Sequence, residues 1–228
     1  MTIATHAGGL FVTGTDTEVG KTIVSALICV RYKDEVPLAY WKPIASGSVE
    51  GRDVLTVGEL SGADTIDEHI LLEEPLSPHL AARLENQVID PDEIVQQLRR
   101  HLEGERALVV EGVGGLHVPL TDDGVLLSDI MPRFGLPAVV VARSTLGTIN
   151  HTLLTLEALR HRRIDIAGVV LDGPPNPENR RAIREFGDVE ILGQLPPCEP
   201  LDRAAISTWA RTFDTAGRLR RWLDRPAA

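Results

Sequence analysis

Short runs of aliphatic residues recur along the chain, separated by polar segments or by stretches with helical periodicity. The runs cover residues 10–13, 38–41, 107–110, 138–141, 166–171 and 189–192. They are apolar throughout and do not alternate with polar residues, which is typical of strands covered on both faces. We therefore predict a buried sheet built from these segments.

The stretches between these runs carry a helical pattern. Residues 21–31, 91–102 and 148–161 repeat apolar side chains at helical spacing, and Pro91 marks the start of the second of these helices. Strands that alternate with helices imply one doubly wound α/β domain over residues 1–228, with a mostly parallel sheet and helices on both faces. Such sheets bind ligands at the carboxyl ends of their strands, so candidate site residues should follow the predicted strands.

The first candidate is the stretch GTDTEVGKT, residues 14–22, which lies between a predicted strand and a predicted helix. It nearly fits the phosphate-loop pattern G-x-x-x-x-G-K-[ST], but Thr15 occupies the first-glycine slot and Gly14 stands one place earlier. In a phosphate loop, Lys21 would reach the β- and γ-phosphates and the Thr22 hydroxyl would bind Mg²⁺. The alternative interpretation is a glycine-capped turn before an ordinary helix.

Two further charged residues follow predicted strands. Glu111 comes directly after the run 107–110, and we expect it at the strand tip, where it could hold magnesium while the glycines of GVGG admit a phosphate or substrate. Lys42, within the stretch WKPIASG, follows the second strand on the ligand side of the sheet. The alternatives are an exposed acid at a strand end and a solvated lysine.

Composition narrows the class of protein. The formal net charge of −10 argues against a broad surface for nucleic acid or for anionic membranes. Cys29 and Cys198 are the two cysteines and lie in no ligand spacing, so we expect neither a disulfide framework nor a zinc site. The N-terminus lacks a signal-peptide pattern, and the longest apolar run, at 138–142, is too short to span a bilayer. These features predict a soluble, cytoplasmic protein.

Several motifs together resemble dethiobiotin synthetase, the ATP-dependent cyclising enzyme of biotin synthesis. In chain order they are GTDTEVGKT (14–22), KPIASG (42–47), Asp53, PLSPHLAA (75–82), EGVGGLHVPL (111–120) and LGTINHTLLTLEAL (146–159). The resemblance runs from about residue 10 to residue 195 and implies a P-loop NTPase fold, with the extra loop residue as the family's own variant. It implies a ligase that joins CO₂ to 7,8-diaminononanoate with ATP and Mg²⁺, giving dethiobiotin, ADP and phosphate. The intermediates are a carbamate and a carbamic-phosphoric anhydride.

The resemblance also assigns roles to individual residues. Lys21 and Lys42 are the catalytic cations, and Thr22, Asp53 and Glu111 hold the metal. The substrate residues are Thr15, Ser46, Gly147 and Asn150, the last two acting across the boundary of a homodimer with its sites at the interface. The nucleotide-binding residues are Thr17, Glu18, Val19, Gly20, Lys21, Thr22, Asp53, Glu111, Gly112, Val113, Gly114, Asp172, Gly173, Pro196, Pro197 and Cys198. From the residues alone, the stretch LGTINHT has two equally good explanations. It is either a carboxylate site at the start of a helix or a helix start at which Thr148 is simply the N-cap.

One position departs from the family pattern. Asp172 stands where the family usually places an asparagine that reads adenine. An ionised carboxylate only accepts hydrogen bonds, whereas an amide both donates and accepts, so we expect relaxed base selectivity. The alternative is that Asp172 turns to solvent and that backbone groups at 195–198 read the base.

Three other classes of protein are alternatives to this interpretation. A P-loop ATPase switch of the partitioning or cell-division type carries a second lysine at the start of the loop, where this chain has Thr13, Gly14 and Thr15. Such switches can end in a membrane-seeking helix, but residues 218–224 are short and we expect them to pack against the domain. An amidoligase needs a glutaminase domain, for which 228 residues leave no room. A non-catalytic relative is disfavoured by the intact lysine and carboxylate set.

Overall fold

The computed structural model describes residues 8–224. The prediction that the N-terminus is not a signal peptide falls partly on residues 1–7, which lie outside the described residues. Its central feature is a seven-stranded sheet in the order β4-β2-β6-β1-β7-β8-β9, in which every strand pair is parallel. β3 and β5 form a separate two-stranded sheet. The strands are β1 Gly9–Gly14, β2 Leu38–Trp41, β3 Ile44–Ala45, β4 Asp64–Ile66, β5 Ile70–Leu71, β6 Ala107–Gly115, β7 Ala138–Arg143, β8 Ile166–Asp172 and β9 Ile191–Leu195.

Helices cover both faces of the large sheet. They are α1 Lys21–Tyr32, α2 Asp53–Ser61, α3 Pro78–Leu84, α4 Pro91–Leu102, α5 Leu127–Phe134, α6 Thr148–His161, α7 Pro177–Gly187, α8 Arg203–Ala210 and α9 Arg220–Leu223. Helices α4 to α7 contribute to one hydrophobic cluster, and α1, α2, α8 and α9 contribute to the other. The predicted doubly wound fold is confirmed.

The strands supply both clusters because successive side chains point to opposite faces of a sheet. Phe11 and Val110 belong to the cluster on one face, whereas Val12 and Val109 belong to the cluster on the other. A strand that is covered by helices on both faces has no solvent-facing side, which explains why the sequence shows continuous apolar runs.

Most predicted boundaries agree with the structure. Strand β2 and helices α4 and α6 have the predicted ends. The expected packing of the C-terminal segment is also confirmed, because Leu219 and Leu223 of that segment are buried. Within residues 8–224, no helix has the length and apolar character needed to cross a membrane.

The predictions were wrong most clearly at three strands, β1, β6 and β9. Gly14 is the last residue of β1 and not part of the loop, and Glu111 lies inside β6, which continues to Gly115. The glycines after Glu111 hid this continuation because glycine weakens the strand signal. The last strand, β9, covers Ile191–Leu195 and not the predicted 189–192. Its pairing with β8 begins where Ile191 is aligned with Val169, and Gly193 lies in its interior.

Candidate active site

The phosphate loop joins β1 to α1 at the carboxyl edge of the sheet. Gly20 has a φ of 87°, and a Cβ at this position would lie 2.5 Å from Asp172 Oδ2, so glycine is required both by conformation and by space. Lys21 Nζ donates a hydrogen bond to the carbonyl oxygen of Asp16 at 3.0 Å. On the outer side of the loop, Arg143 of β7 forms an ion pair with Asp16 at 2.6 Å. The loop is thus anchored at Asp16 from two directions.

Beside the loop lies a cluster of two carboxylates, one lysine and one hydroxyl. Lys42 Nζ is 3.0 Å from Glu111 Oε1 and 2.5 Å from Asp53 Oδ2. Thr22 Oγ1 lies 2.7 Å from Asp53 Oδ1 and 3.0 Å from Glu111 Oε1. These residues come from α1, α2, β6 and the segment after β2, so the parallel sheet and its helix N-termini bring distant segments together.

Burial and mutual charge set the protonation of this cluster. Burial lowers the pKa of Lys42, but the charges of Glu111 and Asp53 outweigh it, and the net pKa is raised. Burial raises the pKa of Asp53, but the charge and hydrogen bond of Lys42 outweigh it, and the net pKa is lowered. No carboxylate of the described residues bonds Lys21, and burial lowers the pKa of its ammonium. Lys42 is therefore held as an ammonium ion by its own site.

Glu111 is fully buried, at 0% exposure, and two residues that the sequence reasoning missed hold it from the core side. Ser25 Oγ and Tyr40 Oη each lie 2.9 Å from Glu111 Oε2. The pKa of Tyr40 is raised well above its ordinary value, first by burial and then by the Glu111 charge, so the phenol stays protonated. One signal was available, because a tyrosine inside a fully apolar strand needs a partner for its hydroxyl.

A cavity of about 740 Å³ opens over the loop and the charged cluster. Many of the predicted site residues line it. They are Thr17, Glu18, Gly20, Lys21, Thr22, Lys42, Ser46, Asp53, Glu111, Val113, Gly114 and Asp172. Asp172 projects from the end of β8, and burial raises the pKa of its carboxyl.

The remaining predicted residues lie elsewhere. Thr15 lines a second cavity of about 620 Å³, and Val118 lines both cavities, so the two are adjacent. The side chain of Val19 is buried in the core, and a Cβ on Gly112 would lie 2.9 Å from the ring of Phe11. Neither cavity is lined by Gly147, Asn150, Gly173, Pro196, Pro197 or Cys198.

The oxygen atoms around Thr22 fit a magnesium ion. A hydroxyl and two carboxylates are the hard ligands that Mg²⁺ prefers, and here they converge within hydrogen-bond distance of one another. In the described part of the chain, no group of three or more His, Cys, Asp or Glu residues could hold a metal ion by itself. A magnesium site in a nucleotide enzyme usually combines one or two carboxylates with substrate phosphates and water.

A phosphate loop between the first strand and helix of a parallel α/β sheet, with a lysine and carboxylates at the same edge, defines a P-loop nucleotide-binding protein. Residues 8–205 match the family model described as an AAA domain. The chain is 48% identical over 200 residues to an ATP-dependent dethiobiotin synthetase BioD from Paramagnetospirillum magneticum, covering 87% of this chain and 93% of that protein. It is 43% identical over 209 residues to the protein of the same name from Agrobacterium fabrum, covering 90% and 94%. The chain belongs to the ATP-dependent dethiobiotin synthetase family.

Solved structures share the fold at much lower identity. The MinC:MinD cell division protein complex of Aquifex aeolicus contains a chain that is 15% identical, with a TM-score of 0.56, covering 94% of this chain and 96% of that chain. This likeness shows a common P-loop architecture and carries no argument about activity.

Proposed function

We propose that this chain uses ATP to carboxylate and cyclise 7,8-diaminononanoate with CO₂, giving dethiobiotin, ADP and phosphate. Family membership supports the reaction, and the position of Lys42 supports the location of the active site. Lys42 is held as a cation between Asp53 and Glu111, next to the phosphate loop. The reaction brings a carbamate anion to a polyphosphate, and such an encounter needs fixed positive charge.

The chemistry proceeds in three steps. One substrate amine attacks CO₂ and loses a proton, forming a carbamate. A carbamate oxygen then attacks the γ-phosphorus of ATP, and the bond to the β-phosphate oxygen breaks to release ADP. The second amine attacks the carbonyl carbon of the resulting anhydride, loses its proton and expels phosphate, which closes the cyclic urea.

The cavity residues have distinct parts in these steps. The loop from Thr17 to Thr22 binds the phosphates through its backbone N–H groups, and Lys21 leaves Asp16 to reach the β- and γ-phosphates. Lys42 offsets the repulsion between carbamate and γ-phosphate and keeps the reacting groups in line. Thr22, Asp53 and Glu111 would hold Mg²⁺, which when bound neutralises charge on the phosphate oxygens.

The diamine is proposed to bind beside the phosphate loop, with Ser46 in the main cavity and Thr15 in the adjacent one. We propose a homodimer in which Gly147 and Asn150 of one subunit bind the substrate carboxylate of the other. Gly147 and Asn150 are exposed at the start of α6, and a helix N-terminus is a favourable seat for a carboxylate. Leu146, beside them, is 99% exposed, so the start of α6 is accessible to a partner subunit.

ATP is the proposed co-substrate, with relaxed base selectivity because of Asp172. The location of Asp172 on the cavity wall supports a contact with the nucleotide, while backbone groups at 195–198 are the alternative readers of the base. We also place the protein in the cytoplasm, since both cysteines are free and this fits a reducing compartment.

The test is direct. The purified chain is incubated with diaminononanoate, bicarbonate, ATP and Mg²⁺, and the products are analysed by mass for the cyclic urea. Co-sedimentation with liposomes is the control for a membrane-binding ATPase switch. Absence of the cyclic urea from a folded, nucleotide-binding preparation would overturn the proposed function.

A further inference from the structure

Within residues 8–224, four side chains bind Glu111 and divide its two oxygens between them. Thr22 and Lys42, which line the main cavity, bind Oε1, each at 3.0 Å. Ser25 and Tyr40, which are fully buried and do not line that cavity, bind Oε2, each at 2.9 Å. One oxygen of the carboxylate therefore faces the site and the other faces the core.

The hydroxyl contacts are not equivalent, because each hydroxyl carries a single proton to donate. Ser25 Oγ also lies 3.0 Å from the carbonyl oxygen of Lys21, and Thr22 Oγ1 also lies 2.7 Å from Asp53 Oδ1. Each of these protons is thus shared between two acceptors. Among the described residues, Tyr40 Oη has one hydrogen-bond partner, Glu111 Oε2.

The geometry of the sheet explains how Tyr40 reaches this position. β2 and β6 are neighbouring parallel strands, and Tyr40 is aligned with Val109. Glu111 is two residues beyond Val109 and so lies on the same face of the sheet. Lys42 is likewise two residues beyond Tyr40. Two residues at one end of β2 thus approach the same carboxylate, one from the core and one from the cavity.

We propose that Tyr40 is a positioning residue for Glu111, whose phenol hydroxyl holds Oε2 against the core so that Oε1 is presented to Lys42 and Thr22. This inference rests on the proposed role of Glu111 as a magnesium ligand. Without the Tyr40 hydroxyl, Oε2 keeps only the shared proton of Ser25, and the carboxylate is free to turn away from the cavity. Loss of such a supporting hydrogen bond behind a metal ligand weakens metal binding by about 10- to 100-fold.

The test is the variant Tyr40→Phe, which keeps the aromatic ring and removes the hydroxyl. Tyr32→Phe is the matched control, because Tyr32 is equally buried and its hydroxyl bonds Asp214, which lies between α8 and α9. Binding of Mn²⁺ to the ADP complex is measured by electron paramagnetic resonance, and binding of ADP without metal is measured separately.

We expect Tyr40→Phe to bind Mn²⁺ at least ~10-fold more weakly, with unchanged metal-free ADP binding. We expect Tyr32→Phe to lose thermal stability while keeping wild-type Mn²⁺ binding. Wild-type Mn²⁺ binding by folded Tyr40→Phe would overturn the inference and leave the proposed function standing. Absence of metal-dependent nucleotide binding in the wild type would instead overturn the proposed metal site.

A second measurement applies if Tyr40→Phe does not fold. The chain has only two tyrosines, so labelling with 3-fluorotyrosine gives two fluorine resonances, which Tyr32→Phe assigns. Addition of Mg²⁺ to the ADP complex should shift the Tyr40 resonance, because its hydrogen-bonded carboxylate changes partners, and should leave the Tyr32 resonance in place. A Tyr40 resonance that does not respond to Mg²⁺ would contradict the inference.

Discussion

Replacement of Lys42 by methionine is the most informative perturbation of the site. Methionine keeps most of the volume of the lysine stem and removes the ammonium, whose Nζ lies 3.0 Å from Glu111 and 2.5 Å from Asp53. Removal of one group that stabilises transition-state charge in an enclosed site costs about 3–4 kcal/mol, or a loss of about 100- to 1,000-fold in kcat. We therefore expect Lys42→Met to retain at most about 1% of wild-type turnover.

The same change should also destabilise the protein. Removal of one partner of a buried ion pair costs about 3–5 kcal/mol. The lower end applies here, because Asp53 is one-third exposed and because Ser25 and Tyr40 still donate to Glu111. For a domain of this size, ~3 kcal/mol corresponds to a fall in Tm of about 6–12 °C.

A double variant separates the two effects. Lys42→Met combined with Glu111→Gln removes both charges, so it should recover much of the lost Tm while turnover stays at the level of Lys42→Met or below. Turnover is measured as ADP release under saturating substrates, and Tm by calorimetry with circular dichroism as the folding control. Lys42→Met turnover within about tenfold of wild type would refute the proposed role of this cation.

Three further outcomes are expected. Mixing Lys42→Met chains with Asn150→Ala chains should restore activity if sites are shared in a dimer; confirmed subunit exchange without rescue would count against sharing. Asp172→Asn should raise the preference for ATP over GTP and CTP in kcat/KM by about ten- to a hundredfold, and an unchanged preference would remove Asp172 as base reader. Burial raises the pKa of Asp172 in the folded state, so the native state holds this proton more tightly than the unfolded state does. The free energy of unfolding therefore falls as the pH rises from below 3.8 through the folded pKa. Asp172→Asn should therefore raise Tm at pH 7, with the gain vanishing in acid; a gain that persists in acid would contradict this.

The sequence predicted the sheet well because both faces of its strands are buried, which leaves a continuous apolar signal. It predicted less well where glycine or polar residues continue a strand. Glu111 was placed at a strand tip, but it lies inside β6 at 0% exposure. The error arose because an acidic residue after an apolar run usually marks the end of a strand. The buried partners that allow Glu111 to lie inside one were not known.

Those partners could not be found by local pattern. Tyr40 lies on β2 and meets Glu111 because the strand order places β2 next to β6. Ser25 lies on α1 and meets Glu111 because β1, which leads into α1, is the other neighbour of β6. The phosphate loop, in contrast, was readable from sequence, since its strand, loop and helix are contiguous in the chain. The contacts of Ser25 and Tyr40 with Glu111 depend on which strands are neighbours, and the local sequence pattern does not show this.

The consumption of ATP to join CO₂ to a diamine is measured by isotope incorporation and stoichiometry. The chain is supplied with [¹³C]bicarbonate, diaminononanoate, ATP and Mg²⁺, and the cyclic product, ADP and phosphate are quantified together. We expect ¹³C in the ring carbonyl and equal amounts of labelled product, ADP and phosphate. ADP release that proceeds at the same rate without the diamine, with no labelled product, would contradict it.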